Sequence, residues 1–272
     1  MHSICFELGP LTIHWYGVFM ALGFTGGLLN WIRLGRKLGR DAQFCSDLMF
    51  WIMISGILGA RIAYVLENWQ VYAADPGSIV RVDQGGLVFY GGFVASGVAI
   101  VIFALRHKVR ILSLFDFVIT SVPLAHALGR IGCFMNGCCF GSCTSSALGI
   151  QFPKGSAPWL EHYKASLIDK SADLSCSVHP VQLYESGYNL LLYILLVWLF
   201  RRTKRVGVVS AIYLMFYSVG RFSIEFFRGD RGERVAVGAL SIGQFISIPL
   251  FIAGAALLIY LMRSSRQKAE EL

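Results

Sequence analysis

The chain has 272 residues, 56% of them hydrophobic and 15% charged, with mean hydropathy +0.61, whereas soluble domains hold roughly 45–50% apolar and 25% charged residues. That balance excludes an ordinary soluble globule and implies a polytopic membrane protein. The formal net charge of +8 comes without an aromatic RNA-binding motif or a zinc finger, so it implies anchoring to an anionic leaflet of the bilayer and no nucleic-acid partner.

Met1 to Pro10 carries no lysine or arginine, so the charged n-region of a cleavable signal peptide is missing and the first apolar stretch is expected to stay as a helix. A membrane span needs about 20 mostly apolar residues. The sequence predicts about seven, near 12–32, 44–66, 86–105, 111–132, 181–200, 207–227 and 239–262. The expected fold is therefore all-α, a single integral membrane domain over residues 1–272.

Basic residues follow spans one (Arg33, Arg36, Lys37, Arg40), three (Arg106, Lys108, Arg110), five (Arg201, Arg202, Lys204, Arg205) and seven (Arg263, Arg266, Lys268), fourteen of the 24 Lys and Arg. Those ends are then cytoplasmic, with the amino terminus outside and the carboxyl terminus inside. Arg81, Lys154, Lys164, Lys170, Arg228, Arg231 and Arg234 fall on the outward connections, near 67–85, 133–180 and 228–238. Only the middle connection is long, and 138–180 is expected to form a small extracytoplasmic arm or cap, since long loops are usually functional or disordered. No internal repeat is visible, which argues against a transporter of the inverted-repeat kind.

The chemistry lies in the less hydrophobic spans. Span two carries Arg61 and Tyr64 near its outer end, as a bundle contact or as a ligand charge. Span three opens with Gly85-Gly86-Leu87-Val88-Phe89-Tyr90-Gly91-Gly92; its glycines either bare the backbone or let helices pack closely, and Tyr90 is either functional or an interfacial aromatic. Span four holds Asp116, Pro123, His126 and Arg130. A charge at membrane depth costs at least about 2.5–3.5 kcal/mol, so it faces a cavity or a partner. Asp116 is four turns from Arg130, roughly 21 Å along a straight helix, so Arg130 must find its counter-charge on another element, such as Glu185, or on a substrate anion. His126 needs no more than a bundle hydrogen bond. Asn136, among Gly129, Gly132, Gly137 and Gly141, suggests a helix end whose N–H groups face an anion.

Five of the seven cysteines, Cys133, Cys138, Cys139, Cys143 and Cys176, fall in or beside the long outward loop. Disulfides among Cys138, Cys139, Cys143 and Cys176 are the first expectation in an oxidising compartment, free thiols the second. A metal is the least favoured, because paired C-x-x-C groups are lacking. Span five opens with His179-Pro180 and the polar pair Gln182 and Glu185. On span six Tyr217, Arg221 and Glu225 recur at i, i+4 and i+8 and so share one helical face. Either Arg221 and Glu225 only lock two helices, or Glu225 orients Arg221 toward a phosphate while Tyr217 donates a hydrogen bond.

Together these pieces resemble the bacterial phosphatidylglycerol–prolipoprotein diacylglyceryl transferase family over nearly the whole chain. The matching segments are Trp15-Tyr16-Gly17, Gly59-Ala60-Arg61 with Tyr64, Gly85 to Gly92, Gly129 to Gly132 through Asn136-Gly137 and Gly141, His179-Pro180 with Gln182 to Glu185, Tyr217 to Glu225, and Ser241-Ile242-Gly243-Gln244. The resemblance implies transfer of an sn-1,2-diacylglyceryl group from phosphatidylglycerol to the lipobox cysteine of a prolipoprotein signal peptide, in the bacterial cytoplasmic (inner) membrane, releasing glycerol phosphate and using no metal or cofactor. Its implied catalytic residues are Arg130, Tyr217, Arg221, Glu225, Tyr90 and Asn136. Its implied substrate contacts are Arg130, Arg221, Tyr16, Arg61, Tyr64, Gly91, Gly92, Gly141 and Glu185. Three positions depart from the family: Tyr90 stands where a histidine is common, Cys133 where asparagine is usual and Cys138 where glutamate is usual.

The reaction must activate a thiol of pKa near about 8.5 and stabilise a departing phosphate. The two arginines answer the second demand. A phenol of pKa about 10 is a poor base, so Tyr90 is expected to hydrogen-bond while Glu225, a tyrosinate beside an arginine or the lipid phosphate takes the proton. Two other classes compete: an anion carrier or channel with the arginines as its filter, and a membrane thiol-disulfide oxidoreductase using the cysteines.

Overall fold

The computed structural model describes residues 4–9, 11–81, 85–229, 235–237 and 240–270. Met1–Ser3, Pro10, Arg231 and Arg234 lie outside the described residues, as do the side chains of Arg266 and Lys268. Six segments are long and apolar enough to cross a bilayer: Trp15–Leu38, Ala42–Glu67, Phe89–Arg106, Ile111–Asn136, Val181–Arg202 and Ile242–Arg263. The seventh expected span is a helix of 17 residues, Val208–Ile224, continued by a 3-10 turn at Glu225–Phe227. At 1.5 and 2.0 Å per residue the two together reach about 31 Å, close to a hydrocarbon core of about 30 Å.

The chain divides into two compact units, Leu28–Phe117 and Met1–Gly27 with Val118–Leu272. The first holds the second half of α1 (Trp15–Gly35), then α2 (Ala42–Glu67), α3 (Trp69–Ala74), α4 (Phe89–Arg106) and most of α5 (Ile111–Ile119). Asp41 caps α2 by accepting from the Phe44 N–H at 2.8 Å, satisfying one of the orphan donors of a helix start. Helices α2 and α4 meet through glycines: a Cβ on Gly59 would come within 2.6 Å of the Gly91 carbonyl, and one on Gly92 within 2.7 Å of the Gly56 carbonyl. Small residues that let backbones touch are how helices associate where lipid offers no hydrophobic drive. Gly91 and Gly92, expected to touch substrate, seat α4 against α2.

The second unit begins with the antiparallel hairpin β1 (Ile4–Leu8) and β2 (Leu11–His14), followed by the first turns of α1. The fourth span then breaks at Thr120–Ser121, where α5 ends and α6 (Val122–Asn136) begins. Pro123 is the cause. Its ring clashes with the carbonyl four residues back, that of Ile119, while in the first turn of α6 its missing N–H costs nothing. Ser121 Oγ donates to the Gly27 carbonyl at 3.0 Å, tying the break to α1.

Helices α8 (Val181–Arg202) and α9 (Val208–Ile224) pack on the buried cluster Leu192, Leu196 and Val209. Helix α8 also packs on α6, and α9 on α10 (Ile242–Glu270), which follows the short ribbon β3 (Val235–Val237) and β4 (Leu240–Ser241). Ser241 and Gln244 form a reciprocal capping box at the start of α10, with both contacts at 3.2 Å. The long connection folds around α7 (Ala157–Lys164) and a small core of Phe140, Phe152 and Val178. Single bridges Cys143 to Val178, Ile150 to Val178 and Pro153 to Leu174 stitch it together.

Candidate active site

Four helices of the second unit bring the intramembrane charges together. His126 and Arg130 lie one turn apart on α6, and Glu185 stands in the first turns of α8. Arg130 Nε meets Glu185 Oε2 at 2.9 Å and His126 Nε2 meets Glu185 Oε1 at 3.2 Å. Arg130 Nε is also 3.2 Å from His126 Nε2. The Arg130 Nε–H donates to His126 Nε2, so the neutral imidazole accepts at that nitrogen and carries its proton on Nδ1, while the guanidinium charge holds Glu185. Glu185 is 3% exposed, a burial tolerable only because both oxygens are held. The terminal nitrogens of Arg130 carry no protein hydrogen bond among the described residues.

On α9, Arg221 Nη1 approaches Glu225 Oε2 at 2.7 Å, off the axis of a hydrogen bond, so that nitrogen retains hydrogen-bonding capacity. Gly243 of α10 lies against this pair: a Cβ there would be 2.9 Å from Arg221 Nη2 and 3.0 Å from Glu225 Oε2. Arg221 is also within electrostatic reach of Glu185. The Tyr217 ring stacks on Tyr213 at 5.5 Å and lies 6.0 Å from the His126 ring. Thus Arg130, Glu185, Tyr217, Arg221 and Glu225 form one cluster. Both arginines are engaged by internal carboxylates, each through a single nitrogen.

Two members of this neighbourhood escaped the sequence reading. His126, read as a simple bundle contact, bridges Glu185 toward Tyr217. Arg228, counted with the outer loop, is 4% exposed and acts electrostatically on Arg130. Its backbone pairs with Gly141, which also donates its N–H to the His179 carbonyl at 3.1 Å, while Gly229 donates to Phe140 at 3.1 Å. A side chain at Gly141 would collide with His179 and Val181. Gly141 is where three backbone segments meet.

Asn136 corrects an expectation. Residues 129 to 136 are helical throughout, and α6 ends at Asn136 with left-handed Gly137 as its cap. This end presents carbonyls, so the anion-binding N–H groups expected there are absent. Asn136 instead joins Thr12, Ile13, His14, Tyr16 and Gly17 around a cavity of about 600 Å³. Tyr16 packs on Gly132, whose Cβ would lie 3.1 Å from its ring.

The remaining candidates belong to the first unit. Arg61 gives its Nε–H to Ile79 O at 2.8 Å, Nη1 to Gly85 O and Gly86 O at 2.8 and 3.1 Å, and Nη2 to Ser78 O and Arg81 O at 2.8 and 3.2 Å. All five N–H donors of a guanidinium are thereby used, and none remains for a substrate in this arrangement. Gly85 and Gly86 reach Arg61 through φ of +83° and +77°, a conformation that suits glycine. The Arg61 guanidinium also lies 5.8 Å from the Tyr64 ring and 5.2 Å from that of Tyr72. Tyr90, second residue of α4, is exposed, with its ring 5.8 Å from that of Phe89.

All seven cysteines are free thiols, so the expected disulfides are not formed. They gather nevertheless: Cys133, Cys138 and Cys139 converge on one point, and Cys143, His162 and Cys176 on another, with donor atoms within 4.8 Å of one another in each group. Hydrogen bonds from the Cys133 and Cys138 thiols, aided by Arg130 and Arg228, hold the Cys139 thiol well below its ordinary pKa. In the second group the Cys176 N–H donates to His162 Nδ1 at 3.2 Å, so the neutral ring carries its proton on Nε2 and offers it to Cys143 Sγ at 3.6 Å.

A mostly helical, multi-pass membrane protein whose arginines and carboxylates meet between helices is the frame of a membrane-embedded enzyme. The family model described as prolipoprotein diacylglyceryl transferase matches residues 3–260, and the chain belongs to that family. Similar relatives are the phosphatidylglycerol–prolipoprotein diacylglyceryl transferase 2 of Clostridium perfringens, 33% identical over 94% of both chains, and the phosphatidylglycerol–prolipoprotein diacylglyceryl transferase of Synechococcus elongatus, 35% identical over 94% of this chain and 86% of that one. The enzyme of the same name from Pseudoalteromonas translucida is 33% identical over 97% and 94%.

Proposed function

We propose that this protein transfers the sn-1,2-diacylglyceryl group of phosphatidylglycerol to the lipobox cysteine thiol of a prolipoprotein signal peptide, in the bacterial cytoplasmic membrane. The amino terminus faces outward, residues 138–180 form the outward arm of a single membrane domain, and the carboxyl terminus is cytoplasmic. The observation that carries this reading is the pair of arginines held by one nitrogen each, Arg130 on Glu185 and Arg221 on Glu225. Their remaining N–H edges suit a lipid phosphate, which guanidinium binds bidentately.

In the transfer, the peptide sulfur attacks the glyceryl carbon that bears the phosphate. A carbon–sulfur bond forms, the carbon–oxygen bond breaks, and glycerol phosphate departs with both electrons of that bond. Arg130 and Arg221 stabilise the charge that develops on the leaving phosphate, and Tyr217 adds a hydroxyl donor. The thiol proton goes to the departing lipid phosphate, one of the three acceptors the sequence offers beside Glu225 and a tyrosinate. The nucleophile belongs to the substrate, so the enzyme's cysteines need not react.

Incubating the purified chain with phosphatidylglycerol and a lipobox peptide tests the reading. The expected product is the peptide heavier by one diacylglyceryl unit; an unmodified peptide from folded protein would refute it. The carrier and oxidoreductase readings predict no such product.

A further inference from the structure

Cys133, Cys138 and Cys139 bring three sulfurs within 4.8 Å of one another, and we propose that they form a three-thiolate site for a thiophilic d10 cation such as zinc, cadmium or copper(I). The chain goes to some length to build it. Cys133 lies in the last turn of α6; Gly137 and Cys139 then both take positive φ, +74° and +58°, reversing the backbone so that two sulfurs fold back onto the third. Positive φ is uncommon outside glycine and costs energy that the surroundings must repay. The Cys138 N–H fixes the turn by donating to Cys133 O at 3.1 Å.

Metal–sulfur bonds of about 2.3 Å place the sulfurs of a tetrahedral or trigonal site about 3.8–4.0 Å apart, so a small closure by side-chain rotation suffices. An all-sulfur donor set selects soft cations over magnesium or calcium. Binding releases the thiol protons to solvent, and Arg130 and Arg228, which already act on Cys139, balance the excess negative charge of three thiolates around a dication.

A disulfide accounts for this cluster less well. It would use two sulfurs and strand the third, and adjacent Cys138 and Cys139 are poorly placed to bond each other. The second group is the weaker metal site, because the His162 nitrogen facing Cys143 holds a proton where a ligand needs a lone pair. The C-x4-C-C spacing of the first site lacks paired C-x-x-C groups, which is why it does not read as metal-binding from sequence.

The test is titration of cadmium into the detergent-solubilised, phosphine-reduced full chain, followed by the sulfur-to-cadmium charge-transfer band in the ultraviolet. The band should saturate at one cation per chain, survive Cys143→Ser/Cys176→Ser and vanish in Cys138→Ser/Cys139→Ser. Loss of a mere supporting partner weakens metal affinity about 10–100-fold, so each single variant, Cys133→Ser or Cys139→Ser, should show at least that loss. Cadmium should also raise the Tm of the wild type and not that of Cys139→Ser. Absence of the band in the wild type, its persistence in Cys138→Ser/Cys139→Ser, or its loss only in Cys143→Ser/Cys176→Ser would overturn the assignment. These readouts do not depend on the transferase activity.

Discussion

At the scale of single residues, the guanidinium of Arg221 offers more than charge. Lysine would keep the cation and lose the planar fork, and removing a preorganised donor costs about 10²–10³ in kcat. Arg221→Lys should therefore slow transfer about 10²-fold or more in the lipobox-peptide assay; wild-type turnover would remove Arg221 from the phosphate clamp. His126→Leu removes the acceptor that positions Arg130 and should lower kcat by up to about 10²-fold, the cost of a misplaced group, with KM for the lipid little changed; wild-type kcat would mean that Arg130 is held without it. Arg130, Tyr217, Arg221 and Glu225 were legible in the sequence because a charge or hydroxyl in an apolar span needs a reason. His126 was not, because its significance depends on Glu185 of α8, and a pairing across helices leaves no mark in the spacing along one of them.

Elements were legible wherever composition alone decides them. The helices begin and end within a few residues of the predicted spans, and the capping box at Ser241 and Gln244 stands in the sequence as S-x-x-Q. Two features stayed ambiguous in the sequence for identifiable reasons. The glycines around Asn136 marked a helix end, but not which end, and polarity decides whether carbonyls or N–H groups face outward. Gly91 and Gly92 could equally bare a backbone or seat a neighbour, and only the facing Gly56 and Gly59 decide it. The arm carries its own prediction. Burial of His162 lowers its pKa, with Glu161 opposing weakly, so the folded state binds a proton less readily than the unfolded chain. The arm should keep full stability above the unfolded value of about 6.5 and lose it as the pH falls through that value toward the lower folded one. Amide exchange over residues 140–179 should thus accelerate below about pH 6.5, and His162→Phe should flatten the dependence; equal acceleration in both would assign it elsewhere.

For the whole molecule, the charge distribution predicts orientation. Reporter fusions after Arg40, Arg110 and Arg205 should report cytoplasmic exposure, and a fusion within residues 165–172 the opposite side; matching signals from both sets would contradict the positive-inside assignment. The count of spans depends on α9. By length it is marginal, and only the 3-10 turn at Glu225–Phe227 extends it to bilayer thickness, with the carboxylate that holds Arg221 at the junction.

The five carbonyls gathered on Arg61 have a consequence of their own. One side chain gathers the carbonyls of this connection, so residues 78–81 and 85–86 owe their conformation to a single guanidinium. Arg61→Lys, with three donors on a tetrahedral head, cannot span them, and a protease should cut this connection in the variant while leaving the parent intact. The same charge that reads in the sequence as a lure for substrate serves as the rivet of a loop.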